Sequence, residues 1–448
     1  MPRTASSPAS AISTTLAPRV QLHAVEARHD PLATCRVVLH LPLVKETGAL
    51  PVLAGVLQVA TERAPSRQAL AEHLDMLYGA SLDASVEKIG DHQALVVSLS
   101  WPARLGRSDR PLAEGLRLLR SVLTRPLREE GASPDGGPRA LRHAIVSQET
   151  KNAERALQGL RADRAAYAAR ALVGGVCRRE PYGLDVRGSV QGLQAIDARA
   201  LAQLHGEIVA QAPVDIWFRG PVTPTRVQEL VARDLMWAPR ARRPARMPTT
   251  VGLASAPARP YRGSLVEDVQ QTRLTYAWRG RIGPRHRTFA AAHVLAGWLG
   301  GGVSSVLWHV LREEAGLCYD VDAGWRPAKG LLVVQTGVAP AQERRARSRL
   351  TQLVRRVLEG DVPQATREAW LAEHVDRLRA IGDHRGAHLA WLRRAHVLGL
   401  NPDVPAWIDA LAAVTPREVR AAGRKLGLAG VQRLGPEDGS TRRRGGAP

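Results

Sequence analysis

The sequence predicts an α+β fold made of two similar halves, each an antiparallel sheet with helices packed on one face. Pairs of neighbouring strands with alternating apolar residues indicate antiparallel hairpins, not the strict strand–helix–strand alternation of a parallel sheet. The same order of hairpin, helix, long helix and short helix then occurs twice along the 448 residues. That length suits two or more domains.

In the first half, the earliest clear helix is predicted at residues 67–78. Leu70, Leu74 and Leu77 recur there with helical spacing, and Gly79 ends the helix. The other predicted elements follow in order: strands at 81–86 and 95–99, helices at 112–123, at 139–172 and from 198, and a strand at 214–218.

The second half repeats this order. A helix over residues 304–314 stops at Gly316, and Thr415 is the expected N-cap of the last helix. The remaining predicted elements are strands at 318–325 and 331–335, and helices at 342–358, 364–398 and 416–426.

The segment between the halves is predicted to be a linker. Pro and Arg dominate residues 237–260, which lack helical and strand periodicity. The linker separates an N-terminal domain, 18–236, from a C-terminal domain, 261–434. The Ser/Ala/Pro-rich residues 1–17 predict a disordered lead-in, and the Gly/Arg-rich residues 435–448 predict a loose tail.

The net charge of +21 comes almost entirely from Arg spread along the chain. Because no nucleic-acid-binding motif accompanies it, we expect no nucleic-acid partner, although a basic nucleic-acid-binding protein stays an alternative. Three isolated cysteines indicate neither a disulfide framework nor a cysteine zinc site. With no signal peptide and no long apolar run, we expect a cytoplasmic protein without a membrane partner.

The most informative motif lies at residues 300–319. It begins with a glycine run and the start of a helix at residues 300–307, and continues with Arg312, Glu313, Gly316, Leu317 and Tyr319. This block resembles the insulinase/pitrilysin family of zinc peptidases, the inverzincins. The resemblance implies a clamshell of two homologous halves. It also implies that substrate binds at Arg312, Tyr319, Gly300, Gly301 and Gly302. The residue types equally allow Arg312 to pair with a nearby Glu and Tyr319 to pack on the sheet.

Active members of that family carry His-x-x-Glu-His, in which two His bind zinc and the Glu is the general base. This motif is absent from the sequence. Counting back from Thr61, the equivalent segment is Pro-Val-Leu-Ala-Gly at 51–55, which offers no ligand. Glu149 or Glu154 lies near the place of the family's third ligand, but a lone carboxylate makes no site. We therefore predict no catalytic residue, metal ligand or cofactor in this chain, and expect zinc in a partner chain only.

A different set of histidines could in principle replace the missing motif. His384 and His388 are spaced to share one helix face, and His374 lies earlier in the same predicted helix. Gly382 and Gly386 interrupt this helix. An autonomous metal-dependent peptidase with such ligands stays an alternative.

Short motifs at residues 22–23, 41–43, 74–81 and 180–183 are similar to the non-catalytic YfmF-like group of bacterial family members, described as associated with 5-aminopentanol modification of elongation factor P. This similarity implies a pseudopeptidase subunit that binds a peptide or protein. It further implies pairing with a zinc-bearing peptidase homologue, as a hetero-oligomer or homodimer. Substrate, partner identity and any link to elongation factor P do not follow from the residues.

Overall fold

A computed structural model describes residues 10–44, 48–104, 108–131, 139–237, 247 and 250–437. It contains two β-sheets, one of six strands in the first half and one of five in the second. Helices pack on both sheets, and the predicted α+β class with two similar halves is confirmed.

The first half contains six strands: β1 (Ile12–Ala17), β2 (Val20–Glu26), β3 (Leu32–Pro42), β4 (Ser81–Ile89), β5 (His92–Pro102) and β6 (Val214–Gly220). Its helices are α1 (Ala49–Leu57), α2 (Arg67–Met76), α3 (Arg110–Thr124), α4 (His143–Gly159), α5 (Arg164–Val176), α6 (Val190–Gln194), α7 (Ala198–Gln211) and α8 (Pro224–Leu230). A 3₁₀ turn at Pro181–Gly183 and a π-helical turn at Val231–Leu235 complete it.

The second half contains β7 (Tyr261–Val266), β8 (Thr272–Arg279), β9 (Asp320–Arg326), β10 (Leu331–Val338) and β11 (Gly427–Gly435). Its helices are α9 (Phe289–Gly300), α10 (Glu343–Leu358), α11 (Gln364–Arg379), α12 (Arg385–Leu398), α13 (Val404–Ala412) and α14 (Pro416–Gly423). A π-helical segment, Trp308–Glu314, precedes β9, and 3₁₀ turns lie at Pro340–Gln342 and Ala380–Asp383.

The two sheets share one topology. The first has the order β1-β2-β6-β3-β5-β4 and the second the order β7-β11-β8-β10-β9. Apart from the extra strand β1, each strand of the first sheet has a counterpart in the second. In the first sheet β6 pairs parallel to β2, and in the second sheet β11 pairs parallel to β7. Every other pairing in the two sheets is antiparallel. This correspondence supports the duplicated unit, and it makes β4 and β9 equivalent edge strands.

One face of each sheet is covered by helices of its own half. In α3, for example, Leu112, Leu116 and Leu119 recur with helical spacing and are at most 1% exposed. This apolar stripe explains why the segment is helical and which side of it packs on the sheet.

The other face of each sheet is covered by a helix from the opposite half. On α12, Leu389 and Leu392 pack on an apolar patch of the first sheet formed by Val25, Val38, Ala94, Val96 and Trp217. The end of α5 packs in return on the second sheet, against Ala277, Leu331, Val333 and Ala429. Each half thus contributes one helix to the sheet of the other half, an arrangement that we call the helix exchange. As a result, both faces of each sheet are covered.

A buried ion network also joins the halves. Lys329, in the β9–β10 turn, is 1% exposed; its Nζ lies 2.8 Å from both carboxylate oxygens of Asp91 and 2.7 Å from Glu180 Oε2. Arg279 on β8 donates to both oxygens of Glu180, at 2.5 and 2.6 Å. Asp91 and Glu180 belong to the first half, so each charge is compensated across the interface.

The predictions for the two ends of the chain agree only in part with the structure. Residues 12–17, expected within a disordered lead-in, form β1, which pairs with β2. The Thr residues of this segment favour strands, and an edge strand needs no strict apolar alternation. Gly435, expected in the loose tail, ends β11. Residues 1–9 and 438–448, and residues 238–246 and 248–249 of the predicted linker, lie outside the described residues.

Within the described part of the chain, no helix is long and apolar enough to cross a membrane. The three cysteines, Cys35, Cys177 and Cys318, are free and buried.

Candidate functional site

The segment that stands in place of the family's metal motif is an apolar helix. Its residues 51–55 lie within α1, which buries Leu50, Val52, Leu53, Ala54, Val56 and Leu57. None of these side chains can bind a metal or transfer a proton. The segment predicted to be equivalent to the family's metal motif is therefore a packing helix.

Glu149, one of the two residues considered for the third ligand, faces this helix. A Cβ atom placed on Gly55 would lie only 2.7 Å from Glu149 Oε2. Arg67 donates to Oε1 at 3.2 Å, and the Asn152 side-chain amide donates to Oε2 at 3.0 Å. The carboxylate is thus compensated by a cation and an amide.

The glycine run predicted to bind substrate is explained by close packing. A Cβ atom on Gly300 would lie 2.7 Å from the Ala323 backbone nitrogen, and one on Gly301 would lie 2.9 Å from Trp370 Nε1. Gly302 has a φ of 135°, which L side chains rarely adopt. These glycines let α9 approach β9 and α11 closely.

Arg312 lies on the π-helical segment, and Tyr319 lies just before β9. The Arg312 guanidinium stacks over the Trp308 ring at 3.8 Å from its centroid. Tyr319 is 56% exposed, and its backbone N–H donates to the Gly337 carbonyl at 2.9 Å. Neither side chain lines the cavity between the halves described next, and their substrate contact stays a prediction.

A cavity of about 1460 Å³ lies between the two halves. The first half borders it with β4, the end of α4, α5 and the segment after α5, and the second half with β9 and β10. On β9, Asp322, Gly324 and Arg326 face the cavity, whereas the intervening residues are buried in the core. The equivalent edge strands β4 and β9, one from each sheet, therefore contribute to one cavity.

The cavity wall carries more positive than negative charge. Five basic and three acidic side chains line it: Lys88, Arg161, Arg170, Arg187 and Arg326, with Asp163, Asp185 and Asp322. Burial raises the pKa of the Asp322 carboxyl, an effect that nearby Arg326 opposes. Burial also lowers the pKa of Lys88, whose Nζ donates to the carbonyls of Tyr182 and Leu184. This is an environment for binding, without a nucleophile–base pair.

The structure also brings together His23, Asp215 and His396, which sequence reasoning missed. Their ligand atoms all lie within 4.8 Å of one another. They come from β2, β6 and α12, so residues nearly 400 positions apart meet at the helix exchange. The available signal was His23 on β2 and Asp215 on β6, both at positions that alternate with core-facing residues; His396 on α12 had no such signal.

The alternative histidine set does not assemble. His374 stacks on Trp370 in α11, His384 precedes α12 as its N-cap residue, and His388 is buried within α12. The grouping of potential ligands found among the described residues contains none of these three. Nothing therefore supports a peptidase centre built from them.

Known proteins similar to this chain are peptidase-like. Residues 195–369 match the family model of the peptidase M16 inactive domain. Over 317 residues the chain is 26% identical to the probable inactive metalloprotease YmfF of Bacillus subtilis (strain 168), covering 69% of this chain and 70% of that protein. The chain is similar to the M16 peptidases. The predicted resemblance is thus confirmed, and the apolar α1 segment agrees with a non-catalytic pseudopeptidase.

Solved structures show the same fold as this chain. A conserved protein from Enterococcus faecalis V583 superposes with a TM-score of 0.83 at 23% identity, over 96% of this chain and 99% of that one. A peptidase M16 inactive domain from Pseudomonas fluorescens gives 0.76 at 17% identity, over 96% and 98%. A protease from Helicobacter pylori gives 0.79 at 12% identity, over 96% and 100%. At these identities the likeness concerns the fold alone.

Proposed function

We propose that this chain is the non-catalytic subunit of a two-chain peptidase assembly. It binds an extended peptide in the cavity between its halves, and a zinc-bearing homologue supplies the His-x-x-Glu-His helix. The observation that carries the proposal is a basic cavity bordered by the edge strands β4 and β9, in a chain whose α1 has only apolar side chains at the predicted metal position.

Edge strands are suited to binding an extended peptide. An edge strand has a row of backbone N–H and C=O groups without a neighbouring strand, to which a peptide can add by main-chain hydrogen bonds. β9 is the terminal strand of its sheet. A Cβ on Gly324 at its centre would meet no atom within 4 Å, so the sheet face over this residue is open to the cavity. A peptide backbone can therefore approach β9 closely.

Charge favours an acidic peptide. The excess of two positive charges on the wall lies in a partly enclosed space, where the reduced dielectric strengthens attraction for carboxylates. Arg326, at the end of β9, is exposed on the cavity side. It is positioned to pair with an acidic side chain of a peptide bound along that strand.

The peptide-binding prediction concerns Arg326→Glu. The affinity for a fluorescein-labelled, Glu-rich unstructured peptide should fall by about tenfold, because charge reversal replaces an attraction by a repulsion. Fluorescence anisotropy with the full chain measures this, and binding by the unsubstituted protein should weaken with added salt.

Arg345→Glu is the matched control, since Arg345 is exposed on α10, away from the cavity. It should bind as the unsubstituted protein does. A copy of the peptide N-methylated at alternate residues should bind less well, because it cannot pair with a strand edge. Equal affinities for both variants, or for both peptides, would contradict binding at β9.

The pairing prediction concerns a zinc-bearing M16 homologue from the same organism. Native mass spectrometry of the two purified chains should show a complex, and the mixture should cleave peptides that this chain alone leaves intact. Zinc-dependent cleavage by this chain alone would reject the non-catalytic role. Two chains that stay separate, with this chain inactive, would reject only the pairing.

A further inference from the structure

We propose that His23, Asp215 and His396 form a binding site for a divalent transition metal of the zinc class. The metal ties α12 of the second half to the first sheet. This site differs from the position of the family's zinc motif in α1, and none of its three residues lines the cavity between the halves. It is a structural site at the helix exchange.

The distances suit a single metal ion. His23 Nε2 lies 3.6 Å from Asp215 Oδ1, and His396 Nε2 lies 3.6 Å from Asp215 Oδ2. Neighbouring ligand atoms of a tetrahedral zinc with bonds of 2.0–2.1 Å are roughly 3.3–3.4 Å apart. The three ligand atoms lie within 4.8 Å of one another, so the side chains would draw together by about an ångström to share one ion.

His23 has a buried ring nitrogen that lacks a partner. The side chain is 1% exposed and stacks on Trp217 with a centroid distance of 4.1 Å. Its Nδ1 lies 2.7 Å from Ser13 Oγ, while Nε2 has no hydrogen-bond partner among the described residues. A buried polar atom without a partner costs stability. With the proton on Nδ1 and donated to Ser13, the Nε2 lone pair is available to a metal.

Asp215 is held in place by a further histidine. His40 Nε2 lies 2.9 Å from Asp215 Oδ2, and His40 Nδ1 lies 3.2 Å from His92 Nε2. Such outer hydrogen bonds orient the ligands of metal sites.

The ligand types select the class of metal. Two imidazoles and one carboxylate suit Zn²⁺ and neighbouring transition metals, whereas Mg²⁺ prefers oxygen ligands and retains its waters. The His396 side chain is 34% exposed, which gives an ion access from solvent and leaves room for water as a fourth ligand.

The test uses the tag-free full chain after treatment with a chelator. Calorimetric titration with Zn²⁺ should show one equivalent bound, and Co²⁺ should give the visible absorption of a tetrahedral site. Mg²⁺ should give neither. His396→Ala should weaken zinc binding at least about tenfold and abolish the cobalt spectrum.

His374→Ala is the matched control, because it removes another partly buried helix histidine and should leave binding unchanged. Asp215→Asn, which keeps the size of the side chain, provides a second ligand variant and should also weaken binding; circular dichroism establishes that each variant is folded. Substoichiometric zinc in the unsubstituted chain, or unchanged affinity in His396→Ala, would overturn the proposal and leave a metal-free His–Asp network.

Discussion

Replacing Lys329 with alanine is expected to lower the free energy of unfolding by about 3–5 kcal/mol, since it removes one partner of a buried ion network. The ammonium group is 1% exposed and lies within 2.8 Å of both Asp91 and Glu180. Without it, Asp91 keeps the Tyr182 backbone N–H, which donates to Oδ1 at 3.2 Å, and the more distant charges of Lys88 and Arg279. Among the described residues, this partly buried carboxylate then has no ion pair in direct contact.

The loss should be larger than for a typical lysine because the network connects the two halves. Lys329 belongs to the second half, whereas both of its acidic partners belong to the first. Arg279 still pairs with Glu180 in the variant, so the interface should loosen around the Asp91 turn first. Urea denaturation followed by circular dichroism measures the free energy of unfolding.

Lys425→Ala is the control, because Lys425 is exposed after α14 and its removal should change stability by no more than about 0.5 kcal/mol. Lys329→Met, which keeps the apolar stem and removes the charge, should lose nearly as much stability as Lys329→Ala. If all three variants unfold at the same urea concentration as the unsubstituted protein, the network does not stabilise the interface.

Elements with strong local signals could be predicted from the sequence. The alternation around residues 81–86 corresponds to β4, and the leucine spacing from residue 70 corresponds to α2. Thr415 caps α14 as expected: its Oγ1 accepts from the Glu418 N–H, and Glu418 Oε2 accepts from the Thr415 N–H at 2.8 Å. In these cases, local side-chain chemistry determines where the element begins or ends.

Elements whose form depends on packing were harder to predict. α9 was not predicted, because it is rich in Ala and buried on nearly every side, and a helix that is apolar all round shows no amphipathic period. The helix expected at 139–172 is two helices, α4 and α5. The break is marked by Asp163, whose carboxylate accepts from the Ala166 N–H at 3.0 Å, a local cap that the continuous polar pattern concealed.

The candidate sites show the same contrast between local signals and long-range contacts. The apolar character of residues 51–55 could be read directly, because it needs only one helix and one motif. The His23–Asp215–His396 cluster could not, since its members are brought together by the parallel pairing of β2 with β6 and by the exchange of α12. Neither long-range contact has a local signature.

Replacing Trp370 with alanine is the second change with a large expected effect, a loss of about 3–5 kcal/mol in the free energy of unfolding. The ring, 3% exposed on α11, fits against two glycines of the adjacent segment. A Cβ on Gly297 would lie 2.1 Å from its ring carbons, and one on Gly301 would lie 2.9 Å from Nε1. The cavity left by alanine cannot be filled, because no side chain is present on the glycine side.

The control for this change is Trp308→Ala, which removes a partly buried ring and its contact with Arg312 and should cost only about 1 kcal/mol. Gly301→Ala tests the other side of the same contact: its new Cβ would crowd Trp370, so stability should fall while affinity for the cavity peptide stays unchanged. If Gly301→Ala instead weakened peptide binding at unaltered stability, the glycine run would be a substrate-binding element, as the family resemblance implies, and close packing would not be its main role.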